Sequence, residues 1–420
     1  MKTSRAGLSV LSSALLAALA LSGCGSAQSG AGAGGAGGGT GAGTSAPVTS
    51  PTGGGSATSP ASAATGPAAS GSPGAGPAAS VPAGGPVPAG FAATSVTFVS
   101  LREAFVLGTA PCAHAPCASI VRTLDRGASW RGLPAPVVPL AQPGGRSGPA
   151  VWGIRFGTPS HGFVFGNGLW ETTDGGAHWA AAAGPGGSIM SLEVIDGQVL
   201  ALMADCRSQA GCGGLGTLTR RPLSGGAWHE VMQVRYPRPI ATQARGAAVL
   251  DGSRVIVTSD GGITVTTRAT PCTTQGVAYA SSVAVTSPYG LALLCIGQGY
   301  TGHTDKIVYI SGDLGAHWAR AGAPPSDGDP FGIDAGAPTS LVVAAASGGS
   351  WLFYSADGAH WRDAYFAGDG GLGWNDLGFT STTNGVAVHG PVLSDSNSEG
   401  RPGQLLLTSD GGGSWRQVRF

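Results

Sequence analysis

From about residue 91 the chain alternates short apolar runs with polar turns, and its alternation and β-branched content favour strands over helices. The runs come in pairs. Val96-Thr97-Phe98-Val99 precedes Phe105-Val106-Leu107-Gly108, Ile154-Arg155-Phe156 precedes Phe163-Val164-Phe165-Gly166, and Leu377-Gly378-Phe379 precedes Val386-Ala387-Val388. After such a pair a third apolar run ends in a recurrent turn, spelled TTDGGAHW at Thr172 to Trp179. Variants read TLDRGASW (Thr123 to Trp130), SGDLGAHW (Ser311 to Trp318), SADGAHW (Ser355 to Trp361) and TSDGGGSW (Thr408 to Trp415). In each, Asp125, Asp174, Asp313, Asp357 or Asp410 can accept backbone N–H groups across the turn. A glycine supplies the positive φ, and Trp130, Trp179, Trp318, Trp361 or Trp415 starts the returning strand with a ring to bury.

Two degenerate copies complete the series. Ser224-Gly225-Gly226-Ala227-Trp228 keeps the hairpin and the Trp without the Asp, whereas Thr258-Ser259-Asp260-Gly261-Gly262 keeps the Asp and has Val265 where the Trp would stand. Seven units then follow one another about 47 residues apart, the period of a four-stranded propeller blade. The predicted fold is all-β, a single seven-bladed β-propeller over residues 91–420, with six or eight blades as alternatives because the fourth unit is short. No swapped N-terminal strand closing the ring is evident.

Composition narrows the picture. With 75 Gly and 29 Pro in 420 residues and few charges, the chain reads as strands and turns. Its formal net charge is zero and its basic residues are scattered, which excludes the basic footprint of a nucleic-acid binder. Lys2 and Arg5 precede an apolar stretch from Leu8 to Leu21, shorter than the roughly 20 residues a spanning helix needs, so residues 1–23 read as a cleaved export signal. Leu21-Ser22-Gly23-Cys24 resembles the bacterial lipobox, which implies lipidation at Cys24 and attachment to the outer face of the cytoplasmic membrane or within the cell envelope. Residues 24–90 are almost entirely Gly, Ala, Ser, Thr and Pro with no charge, the composition of a disordered tether, spanning about 40 to 50 Å as a coil.

The other six cysteines fall into sequence-local pairs, Cys112 with Cys117, Cys206 with Cys212 and Cys272 with Cys295, and an exported chain makes all three pairs candidate disulfides. A metal site at the first pair would have only His114 near.

The Ser/Thr-x-Asp-x-Gly-x-x-Trp spelling resembles the Asp-box of BNR repeats, found in sialidases, sortilin-type receptors and the photosystem II assembly factor family. The resemblance covers roughly residues 91 to 420. It implies a propeller, and in sialidases an arginine triad introduced by Arg-Ile-Pro with a Tyr/Glu pair and an Asp acid. Arg-Ile-Pro is absent here; Arg235-Tyr236-Pro237-Arg238-Pro239 differs in order and lies between units. The glutamates, Glu103, Glu171, Glu193, Glu230 and Glu399, show no partner pattern.

The repeated aspartates are poor catalysts by placement. Equivalent turns stand around the circumference of a disc and cannot bring two carboxylates within the 5 to 10 Å or so that glycoside hydrolysis needs. The same holds for His178, His317 and His360 as metal ligands. No G-x-S-x-G elbow, P-loop, H-E-x-x-H or dinucleotide fingerprint occurs, and no cofactor or metal is implied. Recognition remains. The residues just before the innermost strands are expected to rim one end of the channel, and here they include Trp152, Arg155, Phe331, Asp334, Trp374, Asn375 and Asp376. The expectation is a monomeric, non-catalytic surface lipoprotein binding a protein or glycan, with envelope assembly a fitting role. The alternative is a sialidase-like extracellular glycosidase, which would need two carboxylates near the axis beside an arginine cluster.

Overall fold

A computed structural model describes residues 83–112, 117–141, 148–204, 214–243, 245–272, 279–390 and 402–420. The export signal, Cys24, most of the expected tether and His114 lie outside the described residues.

The described chain forms seven antiparallel sheets of four strands, each built from four consecutive strands, so that every sheet is a meander and none borrows a strand from the other end. The result is a seven-bladed all-β propeller. Its innermost strands are Ala92–Phe98, Val151–Phe156, Ser188–Ile195, Ala241–Gln243, Tyr279–Val285, Asp329–Ala335 and Trp374–Phe379. The three-residue strand Ala241–Gln243 is the physical form of the short fourth unit.

Second strands such as Gly162–Gly166 and Leu341–Ala346 are buried on both faces, which is why they read as continuous apolar runs rather than alternating ones. Alternation persists in which neighbour each side chain meets. Ala104 and Val106 face the seventh blade, while Phe105 and Leu107 face the second. Seven apolar clusters occupy the seven interfaces between adjacent blades. Phe105 stacks on Phe156 across the interface of blades one and two, with ring centroids 3.7 Å apart.

Ring closure uses the same kind of packing. Val386, Val388, Leu405 and Leu407 of the last blade join Phe91, Ala93, Val96 and Trp130 of the first. The amide of Ala93 donates to the carbonyl of Gly403 at 3.1 Å, an approach so close that a Cβ at residue 403 would lie 2.0 Å from the Ala93 oxygen. Blade one also begins earlier than composition suggests. Gly85 and Gly132 exchange two backbone hydrogen bonds of 2.8 and 3.0 Å, which fastens Gly84 to Pro88 along the outer edge of the blade. A Gly/Pro-rich string can serve an edge as well as a tether, and here it does the former.

The recurrent turns share one geometry. Thr123 Oγ1 donates to Asp125 Oδ1 (2.8 Å) and accepts from Gly127 N (2.9 Å), while Asp125 Oδ1 accepts from Ser129 N (2.8 Å). The same bonds recur at Thr172 to His178, Thr258 to Thr264, Ser311 to His317 and Thr408 to Ser414. Gly127, Gly176, Gly262, Gly315 and Gly412 have φ between 79° and 100° at the same step. The Trp rings bind blades together. Trp179, Trp228 and Trp318 donate Nε1–H to Pro134, Ala183 and Ala269 at the end of the preceding blade (3.1, 3.0 and 3.2 Å). In the fourth blade Val265 packs into the equivalent interface.

Of the three expected disulfides, two fall on described residues and both are formed, joining Cys112 to Cys117 and Cys272 to Cys295. The first closes the loop between the second and third strands of blade one; the second ties the segment after blade four to the second strand of blade five, inside their shared core. The third expected bond differs from these. Cys206 and Cys212 both lie outside the described residues, so the pairing of Cys206 with Cys212 stays an expectation of the sequence alone.

Candidate functional site

The innermost strands are not straight. In six of the seven blades a register shift extrudes one residue: Thr94, Trp152, Met190, Ser281, Phe331 and Asn375. Three of the predicted rim residues are therefore structurally equivalent, yet the bulge aims them differently. Trp152 is buried among Phe163, Phe165, Leu192 and Val199 between blades two and three. Phe331 is exposed at the cavity mouth, and Asn375 lines the cavity. Trp374 is also a core residue, packed between blades six and seven with Nε1–H donating to Ala345 O at 3.1 Å. Neither tryptophan presents its ring as a free platform.

In four of these six blades the residue after the bulge caps the next blade, whereas after Trp152 and Phe331 that residue is a glycine, Gly153 or Gly332. Ser95 Oγ accepts from Ile154 N (3.3 Å), Ser191 Oγ from Ile240 N (3.1 Å) and Ser282 Oγ from Ile333 N (3.2 Å). Asp376 holds the same position in the last blade, accepting from Val96 N at 3.1 Å and from Ser95 Oγ at 3.1 Å. The seam of the ring is thus capped by a carboxylate where the other caps are serines.

Two residues further along, the innermost strands point Thr97, Arg155, Glu193, Asp334 and Gly378 toward a cavity of about 370 Å³. Arg155 spans it as a strut. Its Nε donates to Glu193 (2.7 Å), its two terminal nitrogens reach Asp376 (3.3 Å each), and Nη1 also donates to Val96 O and Ile154 O (3.2 and 2.8 Å). Burial opposes its charge, but Asp376 and Glu193 hold the guanidinium well above its ordinary range. Burial pushes the Glu193 carboxyl up, against the pull of Arg155.

Asp334 stands apart from this strut. Its carboxylate accepts from the backbone N–H of Ala335 at 2.6 Å. Burial first, then the charges of Asp376 and Glu193, push it up to about 8, so near neutral pH it is mostly a carboxylic acid. Glu193, unremarkable as a lone glutamate in sequence, is the site residue that sequence reasoning missed. Its signal was the shared spelling small-apolar-polar in Gly153-Ile154-Arg155, Ser191-Leu192-Glu193 and Gly332-Ile333-Asp334.

The outer-turn aspartates do not join this site. Asp174, Asp313 and Asp357 pair with His178, His317 and His360 of their own turns at 2.6 to 2.7 Å. Among the described residues no group of three or more His, Cys, Asp or Glu side chains is arranged to hold a metal ion.

No protein-family model matches the chain, and no curated protein matches it. Among solved structures, YCF48 bound to a D1 peptide is similar, with a TM-score of 0.52 and 16% identity over 77% of this chain and 95% of that one. YCF48 from Cyanidioschyzon merolae follows with a TM-score of 0.49 and 12% identity, over 78% of this chain and 95% of that one. The WD40 β-propeller domain of Doa1 gives 0.44 and 9%, over 76% and 90%. At these identities the likeness is one of fold.

Proposed function

We propose that this chain is a lipid-anchored, non-catalytic binding protein, held through Cys24 at the outer face of the cytoplasmic membrane, whose propeller receives a protein partner at the end where the innermost strands begin. The carrying observation is the distribution of exposed aromatic side chains. Tyr236, Tyr279, Tyr300 and Phe331 fall at that end by strand order against Tyr289 at the other, and Phe331 borders the axial cavity beside Arg238 and Asn375. Aromatic side chains offer large contact area at little entropic cost, which suits them to an interface. The engagement of Arg155 by Glu193 and Asp376 supports binding without an anionic sugar, since its donors already have partners. A propeller of the same fold with a peptide bound, the YCF48 complex, is compatible with a polypeptide partner.

Crosslinking on intact cells with wild-type protein and Phe331→Ala tests this. The expected result is a discrete partner whose yield falls at least fivefold in the variant while its melting temperature is unchanged; equal yields would remove this face from the interface.

One observation favours a second reading. Asp334, held protonated beside the carboxyls of Glu193 and Asp376, has the ingredients of a glycosidase acid and base. A panel of fluorogenic glycosides decides between them: turnover by the wild type that disappears in Asp334→Asn would replace binding with catalysis.

A further inference from the structure

The axial cavity carries more carboxyl groups than its strut requires. Arg155 uses Nε on Glu193 and both terminal nitrogens on Asp376, which leaves Asp334 facing the cavity with a backbone amide and, among the described residues, no paired cation. Beside it the wall is missing. Gly378 occupies the inward position of the last blade, its φ is ordinary, and the nearest atom to a Cβ placed there is Asp334 Oδ2 at 3.9 Å. The charged groups around this space are Glu193, Asp334 and Asp376 against Arg155 inside and the exposed Arg238 at the mouth. An anion entering would meet carboxyls with the inner arginine already engaged; a cation would meet complementary charge. Phe331, exposed at the mouth, offers a ring face against which the stem of a long side chain can lie.

Resting on the binding reading above, we propose that the cavity receives a basic side chain, an arginine or lysine on a protruding segment of the partner, seated beside Gly378 and paired with the Asp334 carboxylate. Asp334 must lose its proton to make that pair. With its carboxyl pushed up to about 8, affinity for the cation rises with pH across that value, and roughly 25-fold between pH 6.5 and 8.5 is expected from proton linkage.

The test uses the full chain in detergent and capped tripeptides, Gly-Arg-Gly and the same peptide with citrulline, which keeps the shape and removes the charge. Binding is read by saturation-transfer NMR. The wild type should prefer the arginine peptide by about tenfold or more at pH 8.5, the preference shrinking at pH 6.5. Asp334→Asn should erase both the preference and its pH dependence. Gly378→Leu, which fills the space without altering charge, should abolish binding of the arginine peptide while the protein stays folded by circular dichroism. Equal affinity for the two peptides, a preference that survives Asp334→Asn, or undiminished binding to Gly378→Leu would overturn the proposal. If Asp334→Asn does not fold, the wild-type pH series and Gly378→Leu decide alone. Capture of a partner on cells without any preference for the arginine peptide would leave the binding reading standing and sink only this one.

Discussion

The outer turns and the axial wall of this propeller are built from the same seven units by opposite rules. The turn is nearly identical in five of the seven blades: a Thr or Ser hydroxyl, an Asp two residues on, and a Gly at positive φ, bonded in one pattern at Asp125, Asp174, Asp260, Asp313 and Asp410. The inward position of the innermost strand is different in every charged instance, Arg155 in blade two, Glu193 in blade three and Asp334 in blade six. Local hydrogen bonding satisfies each turn on its own, so repetition costs nothing there. Seven identical charges around one axis would repel, so the wall has to vary. Repetition marks the scaffold and its failure marks the site.

The comparison breaks most severely if an apparent site residue belongs to the scaffold. Trp152 is such a residue, because its bulge turns the ring into the core of blades two and three. Trp152→Ala should cost about 3 to 5 kcal/mol in urea unfolding, the range for a buried aromatic. A loss under about 1 kcal/mol would return it to the list of surface contacts.

Arg155 tests the axial wall itself. Arg155→Met removes the cation between Glu193 and Asp376 and leaves both carboxyls in the cavity without it, which should cost about 3 kcal/mol. The double variant Arg155→Met, Glu193→Gln should recover part of that loss. Additive losses would show that the strut is not a coupled unit.

Legibility followed the same division. Fold class, blade number and turn chemistry were readable because each is written several times, and even the copy at Asp260 that lacks a Trp makes the full set of turn bonds. The axial site was half readable. Arg155, Asp334 and Asp376 could be placed near the channel, since every innermost strand lines it. Glu193 escaped notice, and Trp152 and Trp374 grouped with the rim, because a one-residue bulge decides where a side chain points and leaves no trace in apolar alternation. Lys306 is another case. It is buried, donates to the carbonyls of Thr304, Pro325 and Asp327 at 2.9 to 3.0 Å, and sits over Phe353, so the one lysine among the described residues proves to be an internal brace.

The two regions also separate by the pH dependence of their stability. Asp334 is pushed up to about 8 in the folded protein from an ordinary value near 3.8, so the folded state holds a proton that the unfolded state releases across that interval. Its contribution is intact below pH 3.8 and declines as pH rises through 8. Asp334→Asn should therefore leave the melting temperature unchanged near pH 4 and raise it at pH 8.5, since a carboxyl held about four pH units above its unfolded value costs several kcal/mol, at about 1.4 kcal/mol per unit, once the pH exceeds both values. A uniform change at both values would point to packing instead.

The outer turns should show the reverse sign. The carboxylate of Asp125 is lowered to about 2 by the side-chain and backbone donors of Ser129, with Thr123 adding a third bond. A depressed acid contributes in full above its unfolded value near 3.8 and loses that contribution as pH falls through 2. Asp125→Ala should cost about 1 kcal/mol at neutral pH, as an exposed side-chain cap does, and the gap from wild type should close near pH 2. The same substitution at Asp410 should behave alike, because Ser414 bonds its carboxylate as Ser129 bonds that of Asp125. If one turn were insensitive and another lost several times as much, the blades would not be equivalent at their rims, and a site would have to be sought there as well as at the axis.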